Sequence, residues 1–282
     1  MSPSITANEF DLLRSYIEQQ CGISLHNGKE YLIESRLANL LVETGSKNFG
    51  DFYLKMRNSN DARLREKIID AMTTNETLWF RDNGPYVTLE EVLLPQLEQA
   101  VREGRKYKVR IWSAASSTGQ EPYSIAMIID SYLARRGGTT VLPTHFEILG
   151  TDISPSALFL AMAGRYDQIS IERGMRADYR DRYFRQQDRI WLLEDRIKKM
   201  VTFKKFNLQD SFSALGTFDI IFCRNVAIYF SDDFKQDLFD RMSQALVPGG
   251  YFLLGSAESL SGYRTNFTMR DHKGSIYYVN KG

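Results

Sequence analysis

Three polar strand ends stand out in the 282-residue chain, at Ile111–Ala126 (IWSAASSTGQEPYSIA), Phe146–Ser154 (FEILGTDIS) and Phe222–Phe230 (FCRNVAIYF). Each begins as a buried strand and runs into small or polar residues. In an open α/β sheet the carboxyl ends of strands are where ligands bind. Ser113–Gly119 is built of Ser, Ala, Thr and one Gly, so a ligand can approach its backbone amides. It lacks the GxGxxG spacing, and a tight strand-to-helix turn explains it equally well. Glu121, before Pro122, suits either the helix dipole or a ligand ammonium. Asp152 ends the second strand, where a carboxylate can accept both hydroxyls of a ribose, whereas Ser154 already supplies the cap of the next helix. Asn207-Leu208 and Asn225-Val226 follow two further strands; paired in this way, the asparagines point to amide contacts with a polar ligand.

Other chemistries lack their residues. His26, His145 and His272 have no metal-ligand spacing, so no metal is expected. GxxxxGK[ST] does not occur, which argues against a kinase or nucleotidase. Cys223 reads as a small core residue. With only Cys21 and Cys223 there is no disulfide framework. No apolar run spans a membrane and the start has no signal-peptide pattern, so a cytoplasmic protein without membrane insertion is expected. A net charge of +1 argues against broad nucleic-acid binding.

The elements that must position these residues follow from hydrophobic period. Thr6 and Glu9 form a capping-box pattern ahead of Phe10, Leu13 and Ile17, and Gly22 suits the stop. Further helices are expected at Lys29–Thr44, Phe49–Met56 and Ala62–Met72, which makes a small all-helical domain over 1–74. A break at Thr73–Phe80 and a helix at Leu89–Arg102 give a linker over 75–92 that contributes to the ligand site. Strands at Lys108–Trp112, Phe146–Thr151, Val201–Phe206, Phe218–Cys223, Tyr251–Gly255 and Ile276–Val279 alternate with helices at Pro122–Arg135, Pro155–Ala163 and Asp232–Leu246. The fold class is therefore α/β over 93–282, a doubly wound, mostly parallel sheet. Residues 177–201 read as an inserted helix with short antiparallel strands.

TTNETLWFRD (Thr73–Asp82), RIWSAASSTGQEPYSIA (Arg110–Ala126), GTDIS (Gly150–Ser154), Asn207-Leu208, FDIIFCRNVAIYF (Phe218–Phe230) and LVPGG occur in an order that resembles the CheR-type chemotaxis receptor methyltransferases over nearly the whole chain. The resemblance implies a helical domain joined to a Rossmann-like class I methyltransferase domain. It also implies S-adenosylmethionine as cofactor, S-adenosylhomocysteine as product, and methyl ester formation on glutamates of the receptors' cytoplasmic methylation helices. Residue by residue it implies Asn75, Thr77 and Arg81 at the methionine end, Glu121 and Asp152 as acidic contacts, Asn207 and Leu208 on the adenine side, and Asn225 and Val226 as a second contact. Tyr229 falls near the methyl group, so Arg81 and Tyr229 are the expected catalytic residues. Gln120 stands where an acid is common in the family. Arg185–Trp191 looks shorter than in members that dock a receptor's C-terminal pentapeptide, which puts tethered docking in doubt. Among the basic residues from Lys47 to Lys67, Lys55, Arg57, Arg63 and Lys67 are the expected substrate-docking set; a solvated helix face is the plainer reading. The nearest rivals are a nucleic-acid methyltransferase, which lacks its [DNS]PP[YF] run here, and a non-catalytic cofactor-binding module.

Overall fold

The computed structural model describes residues 4–58 and 61–282. Helices α1 (Ala7–Cys21), α2 (Glu30–Glu43), α3 (Phe49–Asn58) and α4 (Ala62–Met72) bury one apolar face each around Phe10, Leu13, Ile33, Leu37, Phe52 and Ile68. The expected capping box starts α1: Thr6 accepts from the Glu9 amide and Glu9 from the Thr6 amide. Gly22, at φ 75°, ends it in the left-handed conformation that glycine adopts without strain. After the linker, α5 (Gly84–Thr88) runs through a π-helical turn (Leu89–Leu93) into α6 (Leu94–Arg102). Helix therefore begins inside the expected 75–92 linker, at Gly84 with Pro85 in the first turn, a position where proline's fixed φ fits.

The second part is a seven-stranded sheet made of β1 (Val109–Ala114), β2 (Phe146–Asp152), β6 (Val201–Lys205), β7 (Phe218–Cys223), β8 (Leu246–Leu253), β9 (Phe267–His272) and β10 (Ser275–Asn280), in the order β6-β2-β1-β7-β8-β10-β9. Five strands are parallel; β10 and β9 turn back antiparallel. Strand order reverses between β1 and β7, so their carboxyl ends flank the crevice where such sheets bind ligands. Helices α7 (Gln120–Arg135), α8 (Pro155–Ala163) and α12 (Asp232–Ala245) cross over the faces. β8 begins earlier than expected: Leu246 already pairs with Phe218, and Tyr251 pairs with Ile220, so Val247–Gly250 bulges out of the ladder.

A second sheet is inserted between β2 and β6, in the order β3 (Arg165–Asp167), β5 (Ile190–Leu193), β4 (Phe184–Gln187), all antiparallel. The short helices α9 (Gln168–Glu172), α10 (Ala177–Tyr183) and α11 (Asp195–Lys198) surround it. It recruits a strand before the expected start at 177. That strand is only three residues long, with just Tyr166 buried, too short for a period to show. Its inner face fixes the linker: the fully buried Trp79 ring packs edge-on against Tyr166 and Phe184, at 4.8 and 5.3 Å between centroids.

Candidate active site

A cleft of about 930 Å³, its open mouth included, lies at the carboxyl ends of β1, β2, β6 and β7, between the helical domain and the sheet. Its walls hold Asn75, Thr77, Arg81, Glu121, Asp152, Asn207, Leu208, Asn225, Val226 and Tyr229, so all ten residues named above as cofactor-binding or catalytic meet in one place. Lys55, Arg57, Arg63 and Lys67 lie elsewhere, on α3 and α4.

The linker forms one wall and is tied down at each step. Arg36 of α2 donates to the carbonyls of Met72 (2.5 Å) and Thr73 (3.3 Å) and to the Thr74 hydroxyl (2.9 Å). Ser117 donates to the Asn75 carbonyl (2.9 Å), and Asn75 to the Ser154 hydroxyl (3.3 Å), which itself donates to Asp70 (2.6 Å). The end of α1 closes the apolar side. Asn207 donates to the Gln20 carbonyl (2.9 Å), Ser24 to the Tyr229 carbonyl (2.8 Å), and Ile23 bridges Phe230. The Asn207 side chain is thus committed to the helical domain, while Cys21, Ile153, Phe206, Leu208 and Phe230 leave an apolar slot beside it.

Asp152 is buried, 6% exposed. One carboxylate oxygen accepts from the Ser117 amide (2.8 Å) and the other from the Ser154 amide (2.9 Å). Each oxygen keeps acceptor capacity. Burial pushes its carboxyl above the ordinary aspartate range, against the pull of these amides. Ser154 caps α8 by accepting from Ala157, as the sequence reading assigned.

Glu121 accepts from Ser113 (2.8 Å) and from Arg224 (2.8 Å). Burial raises its carboxyl, and the Arg224 guanidinium works in the opposite direction. Arg224 was missed by the sequence reading. Its side chain is 1% exposed and donates also to the Arg81 carbonyl (2.6 Å), Asp82 (2.9 Å) and the Tyr86 hydroxyl (3.4 Å). Burial opposes its charge, but Tyr86, Glu121 and Asp82 outweigh that and hold it protonated. Arg224 therefore joins the β7 end, the start of α7 and the linker at the residue before Asp82. Arg81 itself is half-buried, and among the described residues its side chain makes one long bond, to the Glu76 carbonyl (3.5 Å), and no ion pair, which leaves its charge at the cleft wall.

The cleft is built for a ligand. Ser116 and Arg224 line the cleft, and the buried Ser116 hydroxyl and Arg224 Nε behind its wall make no hydrogen bond among the described residues. Ala115, Ser117 and Asn225 hold left-handed φ angles of 60°, 49° and 57°, strain of the kind found where backbone is shaped around a ligand. A carboxylate with spare acceptors, an apolar slot and a free guanidinium suit a ribose, a flat base and an amino-acid carboxylate, the three parts of S-adenosylmethionine.

Two family models cover the chain: the CheR methyltransferase all-alpha domain matches residues 8–73, and the CheR methyltransferase SAM binding domain matches residues 75–276. The chain is 40% identical over 274 residues to chemotaxis protein methyltransferase Cher2 of Pseudomonas putida, which spans 97% of this chain and 98% of that protein. It is 42% identical over 276 residues to chemotaxis protein methyltransferase 1 of Vibrio cholerae, with the same coverage. It is 34% identical over 263 residues to the chemotaxis protein methyltransferase of Borreliella burgdorferi, 92% of this chain and 90% of that protein. With both domains matched in order and the cleft lying between them, this chain belongs to the CheR methyltransferase family.

Proposed function

We propose that this cleft binds S-adenosylmethionine and methylates glutamate side chains on the cytoplasmic helices of chemoreceptors, giving glutamyl methyl esters for chemosensory adaptation. The observation that carries the reading is the convergence of Asn75, Thr77, Arg81, Glu121, Asp152 and Tyr229 on one cleft that both domains build.

The cofactor supplies an electrophilic methyl group on a sulfonium. In this reading Asp152 accepts from the ribose, Leu208 and its apolar neighbours hold the base, and Arg81 with Asn75 and Thr77 hold the methionine end. Glutamate is already a carboxylate at neutral pH, so no residue has to remove a proton from it. The protein's task is to strip water from that carboxylate and aim it, which is where orientation contributes most of the rate. Tyr229, half-buried in the cleft wall, has a hydroxyl suited to aiming it. A tight pairing of Arg81 with the substrate would stabilise the ground state and slow transfer, so we assign Arg81 mainly to the cofactor.

For receptor docking the helical domain narrows the expected set. Lys55 donates to the Thr44 and Gly45 carbonyls and pairs with Asp51; Lys67 pairs with Glu43. Arg57 and Arg63 are exposed and make no ion pair among the described residues, so we assign them the steering of an acidic receptor helix. In the inserted sheet Gln187 pairs with Ile190, and only Asp188 and Arg189 remain in the turn. This tight hairpin supports methylation without docking of a receptor tail. Calorimetric titration with S-adenosylhomocysteine tests the cofactor half: one site per chain, weakened by Arg81→Ala, is expected, and no binding by the folded protein would remove the proposal.

A further inference from the structure

The loop that carries Asn225, Val226 and Tyr229 is held by a residue outside every motif named above. Glu258 lies in the turn after β8. One of its carboxylate oxygens accepts from the amides of Asn225 (2.6 Å) and Gly255 (2.8 Å), the other from those of Val226 (3.1 Å) and Ile228 (3.3 Å). Four main-chain donors converge on one anion, near the full acceptor capacity of a carboxylate. Hydrogen bonds to an ionised acceptor are about twice as strong as neutral ones. The clasp holds Asn225 at φ 57°, where a residue with a side chain is strained, and strain of that kind persists only when its surroundings impose it. Gly255 completes the fit: a Cβ there would stand 2.6 Å from the Asn225 side-chain nitrogen and 2.8 Å from the Glu258 carboxylate.

We propose that Glu258 is a positioning residue of the methyltransferase site, its carboxylate filling a nest of four amides so that the 225–229 segment presents its cleft-lining residues to the cofactor. Glu258 itself stands outside the walls of the cleft and acts through the loop. The inference rests on the reading of the cleft as the cofactor site. A purely structural Glu258 would stabilise the fold and nothing more. Cofactor affinity at unchanged stability separates the two, and a small free carboxylate that refills the nest once its own is removed should restore that affinity.

The test has a ligand-free arm and a binding arm, neither needing a receptor. In the Glu258→Ala protein without cofactor, sodium formate should raise the melting temperature saturably, and sodium chloride at equal ionic strength should not; the parent, its nest filled, should show no such difference. In Glu258→Gln, where one acceptor oxygen is replaced by a donor, affinity for S-adenosylhomocysteine should fall tenfold or more while the melting temperature stays within a few degrees of the parent. Formate should restore binding in the alanine variant. Glu258→Gln affinity within twofold of the parent would overturn the proposal, as would binding lost only in step with folding. If the alanine variant does not fold, the glutamine variant decides alone. Should receptor methylation prove to be the wrong reaction, these cofactor measurements would still stand or fall by themselves.

Discussion

Replacing Arg224 with methionine keeps the length of the side chain and removes a buried guanidinium from four acceptors. Glu121, at 12% side-chain exposure, loses the one ion pair it makes among the described residues; Asp82, at 26%, can turn to water. Removing one member of a buried pair costs about 3–5 kcal/mol, mostly from the charge left behind. Discounting the more solvated Asp82, we expect Arg224→Met to lose about 3–4 kcal/mol. For a chain of 282 residues that is a fall of about 5–7 °C in melting temperature. Arg224→Lys keeps the charge but loses the planar fork that reaches Glu121, Asp82 and the Arg81 carbonyl together, so an intermediate loss of about 1–3 kcal/mol is expected. The double variant Glu121→Gln/Arg224→Met strands no charge at 121. Its loss should be smaller than the sum of the two single losses by about 1–2 kcal/mol. Urea unfolding of the parent and the four variants without ligand gives each number. A methionine variant within about 1 kcal/mol of the parent, or a strictly additive cycle, would refute the view that Arg224 ties the linker to the sheet.

Asp152→Ala should weaken S-adenosylhomocysteine binding by about 1.5–3 kcal/mol by calorimetry; unchanged affinity in a folded variant would remove Asp152 from the ribose role. Tyr229→Phe should lower turnover and leave cofactor affinity nearly intact, and equal turnover would show the hydroxyl to be dispensable. Because the Asp152 carboxyl lies above its ordinary range when folded, its ionisation opposes folding, a cost absent below the unfolded pKa and fully present above the folded one. Binding needs the carboxylate, so affinity should fall as pH drops through that raised value; Asp152→Asn, weak at every pH, should lack this limb in titrations run downward from neutral pH. Reversing Arg57 and Arg63 to Glu should raise the KM for receptor and spare cofactor affinity. Salt should slow association of the parent, since exposed charges are screened beyond about 8–10 Å at 0.1–0.15 M; a salt-insensitive rate with a fully active double variant would return both arginines to the solvated-surface reading.

The parts of the molecule most legible in the sequence were those where burial and chemistry change over one or two residues. β7 is buried along its whole length and stops at Arg224-Asn225, so both strand and site are visible there. The same holds at Asp152 and at the capped start of α1. Strand β9 escaped because its residues Thr268–His272 are polar or exposed on an outer edge, which leaves no alternation to read. The β8 bulge was hidden because Pro248-Gly249-Gly250 reads as a turn. Arg224 sat inside a quoted motif, yet a single arginine at a strand end carries no signal until Glu121, Asp82 and Tyr86 are known to surround it. Glu258 is further from view, its four partners being backbone amides that any sequence possesses. The basic run of α3 and α4 showed its charge and not its neighbours; Asp51 and Glu43 occupy Lys55 and Lys67.

The central claim is the transfer of a methyl group to a receptor carboxylate, and the nature of the bond formed tests it most directly. Purified protein with tritiated S-adenosylmethionine and receptor-containing membranes should label the receptor, and mild base should release the label as volatile methanol, the mark of a carboxyl methyl ester. Asp152→Ala should reduce the labelling in proportion to its lost affinity when cofactor is limiting. Label stable to base, or label found on nucleic acid and not on receptor, would contradict the account.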